Sequence, residues 1–369
     1  MVNKERLVNS FIHMVGIDSV SGKEGKFKDY LMAEFSARGY QVQEDETGKA
    51  LGTESGNLLV KIPGSPDKPS LLFAAHMDTV EPGNGIKAMV QQGRLVSSGN
   101  TILGSDDKAA IAALLEAVDI LKASSELHAP LELLFTVGEE QGLQGAKLFD
   151  YSLLSSSIGY VLDAGGPPGN IIIQSPCQNE IEYQVFGKAA HAGINPQDGI
   201  NAIHIASQAL AAMPCGRIDE ETTCNFGIIE GGTARNIVAD SCRVKGEARS
   251  LQRFKLDALT GQLESIFRSE VEKHGAQAQV KVKFLYPEIR LDAQDEVVVI
   301  AVKAARSTGL EPVLTGTGGG SDASIINGHG IACVNLGIGM SNVHTIDEYI
   351  EVDDLVKDVE LILAIIREI

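Results

Sequence analysis

At 369 residues, with 44% hydrophobic and 22% charged positions, the chain has the composition of a globular protein large enough for two cores. Its net charge of −18 argues against nucleic acid and anionic membrane as partners, and no apolar stretch approaches the roughly 18 residues of a membrane span. Five scattered cysteines without CxxC spacing, and an N-terminus without an apolar leader, point to free thiols and a cytoplasmic location.

Residues 4–15 place Leu7, Phe11, Ile12 and Val15 at helical spacing. Ser21 and Glu24 form a capping box for a second helix, which Gly39 ends. Strands are expected near 40–45, 57–62 and 71–76. The last of these, LLFAAHMD over 71–78, is a short continuous apolar run of the kind buried on both faces, and it stops in His76 and Asp78. Polar groups out of water are costly unless something binds them. Two residues apart, His76 and Asp78 leave the strand on one side, so Asp78 is placed to hold the second ring nitrogen of a metal-bound His76. A strand that simply runs into a polar loop explains the tripeptide equally well.

A helix after Asp106 carries Ile111, Leu114, Leu115, Val118 and Leu121 on one face. Further buried strands at 131–137 and 159–162 end in Gly138-Glu139-Glu140 and Asp163-Ala164-Gly165-Gly166. From Asn179 the texture changes to strand, helix, strand, strand, helix, strand, the order of a ferredoxin-like unit. After Pro287 a helix (293–308), a Gly-rich loop, a strand (331–336), His344 and a final helix complete the chain. The expected fold is α/β: a mixed, mostly parallel sheet with helices on both faces, plus an inserted α+β domain. The catalytic domain is assigned to 1–177 and 288–369, and the inserted lid or dimerisation domain to 178–287.

In open sheets of this kind ligands gather at the carboxyl ends of the strands. Three such ends carry His76, Glu139/Glu140 and Asp163; Asp106, Asp107 and His344 lie in loops. Imidazoles and carboxylates without thiolates suit two zinc ions, or manganese or cobalt. Adjacent Glu139 and Glu140 repel each other unless a cation sits beside Glu140, which leaves Glu139 free as a base. Taken singly, each of these carboxylates is a surface loop residue; the reading rests on the set. Backbone N–H groups of GTGGGSD (316–322), at Gly319 and Ser321, are placed ahead of a helix to hold a peptide carboxylate. A tight turn with Asp322 at the helix start is the equal alternative. His204, on a helix with apolar neighbours, is expected in a core or interface.

The segments GSDDKAAIAALLEA (104–117), TVGEEQGLQGAK (136–147), GKAAHAGINPQDGINAI (187–203), GGTARNIVAD (231–240), GTGGGSDASIIN (316–327) and NVHTIDEYI (342–350) resemble, in order and spacing, the di-zinc exopeptidase family of peptidase T, carboxypeptidase G and the aminoacylases, most of all its peptidase T-like tripeptidases. The resemblance implies that His76 and Asp163 bind one metal and Glu140 and His344 the other, with Asp106 bridging. It implies a cis peptide after Asp106, Asp78 orienting His76, and Glu139 as general base toward a metal-bridging water. His191 is implied as an oxyanion donor, acting within one chain or across a homodimer formed through the inserted domain. Arg235 and Asn236 are candidates to contact the substrate backbone or its terminal carboxylate. The expected activity is that of a metal-dependent aminopeptidase on short peptides. An N-acyl amino acid deacylase or carboxypeptidase, and a non-catalytic metal-binding protein, are the alternatives.

Overall fold

The computed structural model describes residues 1–124 and 126–369. They fall into two compact units: 1–174, 290–317 and 321–369 form the first, 175–289 and 318–320 the second.

The first unit is built on a mixed sheet whose strands run in the order Val42–Glu44, Leu58–Ile62, Leu131–Thr136, Leu71–His76, Ile158–Ala164, Ala332–Gly337 and Asn170–Ser175. The central four are parallel to one another and the strands that flank them join antiparallel, while Val313–Gly316 adds to Asn170–Ser175 in parallel. Every residue of Leu71–His76 and of Leu131–Thr136 is buried; the one charged residue within the second, Glu132, accepts from Ser155 and Ser156 and pairs with Lys61. Leu71, Phe73 and Ala75 enter the main core with the helices Lys4–Val15, Ser105–Ala123, Glu296–Ser307 and Val352–Glu368. Alternation turns Leu72, Ala74 and His76 to the other face. There, the helices Gln144–Leu148 and Asp322–Gly328 pack on each other, the latter also on Ala332–Gly337. Each fully buried Leu or Phe of these layers contributes about 1.5–3 kcal/mol.

The second unit is an antiparallel sheet in the order Gly216–Arg217, Thr222–Gly231, Ser241–Ser250, Cys177–Phe186, Gln277–Tyr286. Its first long strand lies between the third and fourth, as in a ferredoxin-like unit. The helices Ala202–Ala212 and Arg253–Lys273 cover it around Ile181, Tyr183, Val244, Leu263 and Phe267, with the Tyr183 and Phe267 rings stacked at 4.4 Å.

Several expectations change. The second helix spans Gly25–Ala37, but Ser21 does not cap it. Its hydroxyl instead donates to Asp78 Oδ2 at 2.6 Å. An exposed hairpin, Ala88–Gln91 and Arg94–Ser97, went unforeseen; its turn at Gln92-Gly93 has φ of 52° and 85°, the left-handed pair that such two-residue turns need. The strand Asn170–Ser175 was also unforeseen. No helix among the described residues is long and apolar enough to cross a membrane.

Asp358, in the last helix, is fully buried, and neither carboxylate oxygen has a hydrogen-bond partner among the described residues. Burial, then the charge of Asp354, pushes its carboxyl well above the usual range. With the folded pKa above the unfolded one, its contribution to stability is present at low pH and lost as pH rises through the folded value. Asp358→Asn is therefore expected to stabilise the protein by on the order of 1–2 kcal/mol at pH 8 and by little near pH 4. Thermal melts at both pH values check this; an unchanged or lower Tm at pH 8 sinks it.

Candidate metal centre

The parallel register sets His76 directly opposite Thr136 on the neighbouring strand, so the two strand ends open at one level. The loop 137–140 follows Thr136, and Asp163 lies near the end of the next strand. Asp106 arrives from the start of the helix Ser105–Ala123, where its ψ of 101° breaks the helical path and the Asp106–Asp107 peptide is cis. His344 arrives from the loop 341–349 with φ of 65°.

His76 Nε2 lies 2.9 Å from Asp106 Oδ1 and 3.9 Å from Asp163 Oδ1. His344 Nε2 lies 2.8 Å from Glu140 Oε1 and 3.2 Å from Asp106 Oδ2. Each oxygen of Asp106 thus faces a different imidazole. Ligand atoms of His76, Asp106 and Glu140 lie within 4.8 Å of one another, as do those of His76, Asp107 and Asp163. Asp107 takes the His76 backbone N–H on Oδ2 at 3.2 Å and leaves a buried Oδ1 with no hydrogen-bond partner among the described residues. Nitrogen and carboxylate donors converging without a thiolate, beside an orphaned acceptor, fit two divalent cations.

The loop that carries Glu139 and Glu140 is held by its own backbone. Four consecutive N–H groups each meet a side-chain oxygen: Val137 on Asn57 Oδ1 (3.1 Å), Gly138 on Glu24 Oε1 (3.2 Å), Glu139 on Asp78 Oδ1 (3.0 Å) and Glu140 on Asp78 Oδ2 (3.2 Å). The shorter contact of His76 Nδ1, 2.9 Å, is to the Asp78 main-chain carbonyl, while the Asp78 carboxylate that accepts the Glu139 and Glu140 N–H groups stands 3.4 Å from it. Asn335 Oδ1 accepts from the Asp163 N–H at 2.9 Å, and its amide donates to Ser321 Oγ at 3.1 Å. Thr136 donates to the buried Asp322. Glu348 accepts from the backbone of 103–106.

These side chains strain one another electrostatically. Burial pushes Glu139 and Asp163 well up; the neighbouring charge of Asp163 adds to the shift of Glu139, and that of Asp106 to the shift of Asp163. Burial does the same to Asp107. Burial also opposes the charges on Asp106 and His76. For Asp106, hydrogen bonds from His344 and His76 outweigh it and hold the carboxyl low; for His76, Asp106 and Asp78 hold the ring's pKa high. His344, bonded to Asp106 and Glu140, rises to about 10. A bound cation relieves such a cluster.

Of the other expected site residues, Ser321 precedes the helix Asp322–Gly328 and uses its hydroxyl as the acceptor for Asn335. Gly319 belongs to the second unit. So do His191, Arg235 and Asn236, which share one surface there: His191 pairs with Ile237 across a β-bridge, and the Ala192 N–H donates to the Asn236 carbonyl at 3.0 Å. Arg235 lines a cleft of about 610 Å³ with Asn201, His204 and Ser207. His204 is exposed there rather than buried in a core. Asp107, a candidate from the sequence, lies beside His76, whereas Glu24, Asn57, Asn335 and Glu348 have no expected place here; of these only Glu24 and Glu348 lie in motifs that the sequence marks for other reasons.

A model of the peptidase family M20/M25/M40 matches residues 72–368. The uncharacterized protein YqjE of Bacillus subtilis is 44% identical over 368 residues, spanning 100% of this chain and 99% of its own length. Among solved structures, the aminopeptidase PepT from Bacillus cereus matches with a TM-score of 0.93 at 43% identity, covering 100% of this chain and 99% of that one. A tripeptidase from Staphylococcus aureus gives a TM-score of 0.95 at 38% identity, covering 100% and 98%.

Proposed function

The chain belongs to the peptidase family M20/M25/M40, and from that premise we propose that it is a metal-dependent aminopeptidase releasing residues from short peptides, tripeptides among them. The observation that carries this is Asp106, whose two oxygens each face a different imidazole beside the clamped Glu139–Glu140 turn. The likeness to an aminopeptidase and a tripeptidase supports the substrate class.

His76 and Asp163 would hold one divalent cation, Glu140 and His344 the other, with Asp106 between them; zinc suits the donors best, with manganese or cobalt as substitutes. The cations supply Lewis acidity, making a water more acidic and the scissile carbonyl more electrophilic. Glu139 takes the proton of the attacking water and delivers it to the leaving amine. Its backbone is fixed by Asp78, so the carboxylate swings between these two duties from a rigid anchor. His191 donates to the developing oxyanion, and Arg235 and Asn236 hold the peptide backbone or its carboxylate. The Gly-rich loop that carries Gly319 and Ser321 is the candidate for a second hold on that carboxylate. The second unit serves as lid and as a homodimer surface. Supporting this, Ile203, Ile228, Ile229 and Ile237 are exposed on it, and among the described residues Thr222–Gly231 pairs on its outer side only with Gly216–Arg217. A cytoplasmic location agrees with five unpaired thiols.

An N-acyl amino acid deacylase would use the same metals, so the substrate decides between them. The protein is stripped with chelator, reloaded with zinc, manganese or cobalt, and offered a free tripeptide and its N-acetylated form. Blocking the amine is expected to lower kcat/KM at least ~100-fold, because a site built to bind the ammonium is left unpaired. Faster turnover of the acetylated peptide would assign the deacylase reaction instead.

A further inference from the structure

Glu348 lies four residues beyond His344, is 1% exposed, and points its carboxylate into the loop that delivers Asp106. Oε2 accepts the N–H groups of Leu103 (2.8 Å) and Gly104 (3.0 Å). Oε1 accepts the N–H of Ser105 (2.7 Å), its hydroxyl (2.6 Å) and the N–H of Asp106 (3.3 Å). Gly104, with φ of 74°, supplies the left-handed step that turns successive N–H groups inward, as in an anion-binding nest. Only an acceptor-only group can face five donors; an amide would turn its own N–H bonds against some of them.

The other end of the clamp is equally tight. Ser341 and Tyr349 exchange backbone hydrogen bonds of 3.0 and 3.1 Å, closing the loop that presents His344. Within it, Thr345 Oγ1 donates to the Asn342 carbonyl at 2.7 Å, and both Asn342 and His344 hold positive φ, which non-glycine residues rarely adopt. One carboxylate therefore ties together two loops some 240 residues apart in sequence.

We propose that Glu348 is a positioning residue that sets Asp106 and His344 in register for cation binding before any cation arrives. The proposal rests on the metal-centre reading above. Such outer partners typically govern affinity by about 10–100-fold.

The test is cobalt(II) titration of the metal-free chain, followed by visible absorption and by dialysis. The parent is compared with Glu348→Gln, Glu348→Ala and, as a control for lost stability alone, the core variant Ile365→Val. The parent is expected to take up two ions. The Glu348 variants are expected to bind at least one of them 10-fold or more weakly and with an altered spectrum, even where metal-free melts show them folded. Ile365→Val should bind like the parent. If Glu348→Ala fails to fold, Glu348→Gln carries the comparison. A folded Glu348→Gln with parental affinity and spectrum overturns the positioning role and leaves the metal centre standing. A parent that takes up no cobalt overturns both.

Discussion

A Glu139→Gln protein is expected to bind its two cations as the parent does and yet hydrolyse a tripeptide about 10²–10⁴-fold more slowly. The substitution keeps the shape and removes the proton acceptor. It should not disturb the ligands, because the turn is anchored through backbone N–H groups on Asp78 and Glu24, not through the Glu139 side chain. Burial and the neighbouring carboxylates of Asp163, Asp322 and Glu140 raise the Glu139 pKa, making it readier to accept a proton than an exposed glutamate. Steady-state rates, with metal content measured on the same sample, decide the matter. Parental metal content with a rate within tenfold of the parent would exclude Glu139 as the base.

Removing the cations should expose the repulsion stored in the site, and its pH dependence has a definite sign. Asp107, Glu139 and Asp163 are raised by burial, Glu24 to about 7 and Asp322 to about 6 for the same reason. His76 and His344 are raised by their carboxylate partners, His76 against the opposing effect of burial. For every one of these groups the folded pKa exceeds the unfolded one, so stability is complete below the unfolded value and is lost as pH climbs through the folded value. Asp106 and Asp78 are lowered, and their contribution is already complete above about pH 5. Lys108, lowered to about 7 by burial, runs the other way, but only above that pH. Between pH 5.5 and 7.5 the Tm of the chelated protein should therefore fall with pH more steeply than that of the loaded one. With metal about 1,000-fold above Kd the loaded form gains about 4 kcal/mol, roughly 5 °C at this size. A chelated protein whose Tm is flat or rises over that range would count against the cluster as described.

The strand ends were legible because LLFAAH, LLFTVGEE and IGYVLDA each run from apolar residues into an imidazole or a carboxylate that no core tolerates unpaired. Glu24 was misread for a physical reason. A serine followed by a glutamate three positions on is the pattern of a capping box, and Glu24 does accept the Gly22 N–H at 2.9 Å. Nothing local says that Ser21 has been drawn away to Asp78, 57 residues distant in sequence. Glu348 is a harder case. In TIDEYI it looks like any loop carboxylate, and all its donors lie 242 to 245 residues away. The hairpin at Ala88–Gln91 and Arg94–Ser97 escaped notice because Met89 and Val90 are about half exposed and leave no clean alternation. The sequence patterns that survive folding are those set by burial; the supporting contacts are set by topology.

The position of Ala332–Gly337 in the sheet has a consequence for biosynthesis. It lies between Ile158–Ala164 and Asn170–Ser175, both of which leave the ribosome well before it. At about 5–20 residues per second, both strands wait roughly 10–30 s for the one that pairs with them. During that interval the Ile158–Ala164 edge that will meet it stays unpaired, and Asn170–Ser175, whose sheet partners Val313–Gly316 and Ala332–Gly337 are made later still, is without its pairing. Two apolar segments thus stay unpaired until late in synthesis, so newly made chains, more than mature ones, should depend on chaperones.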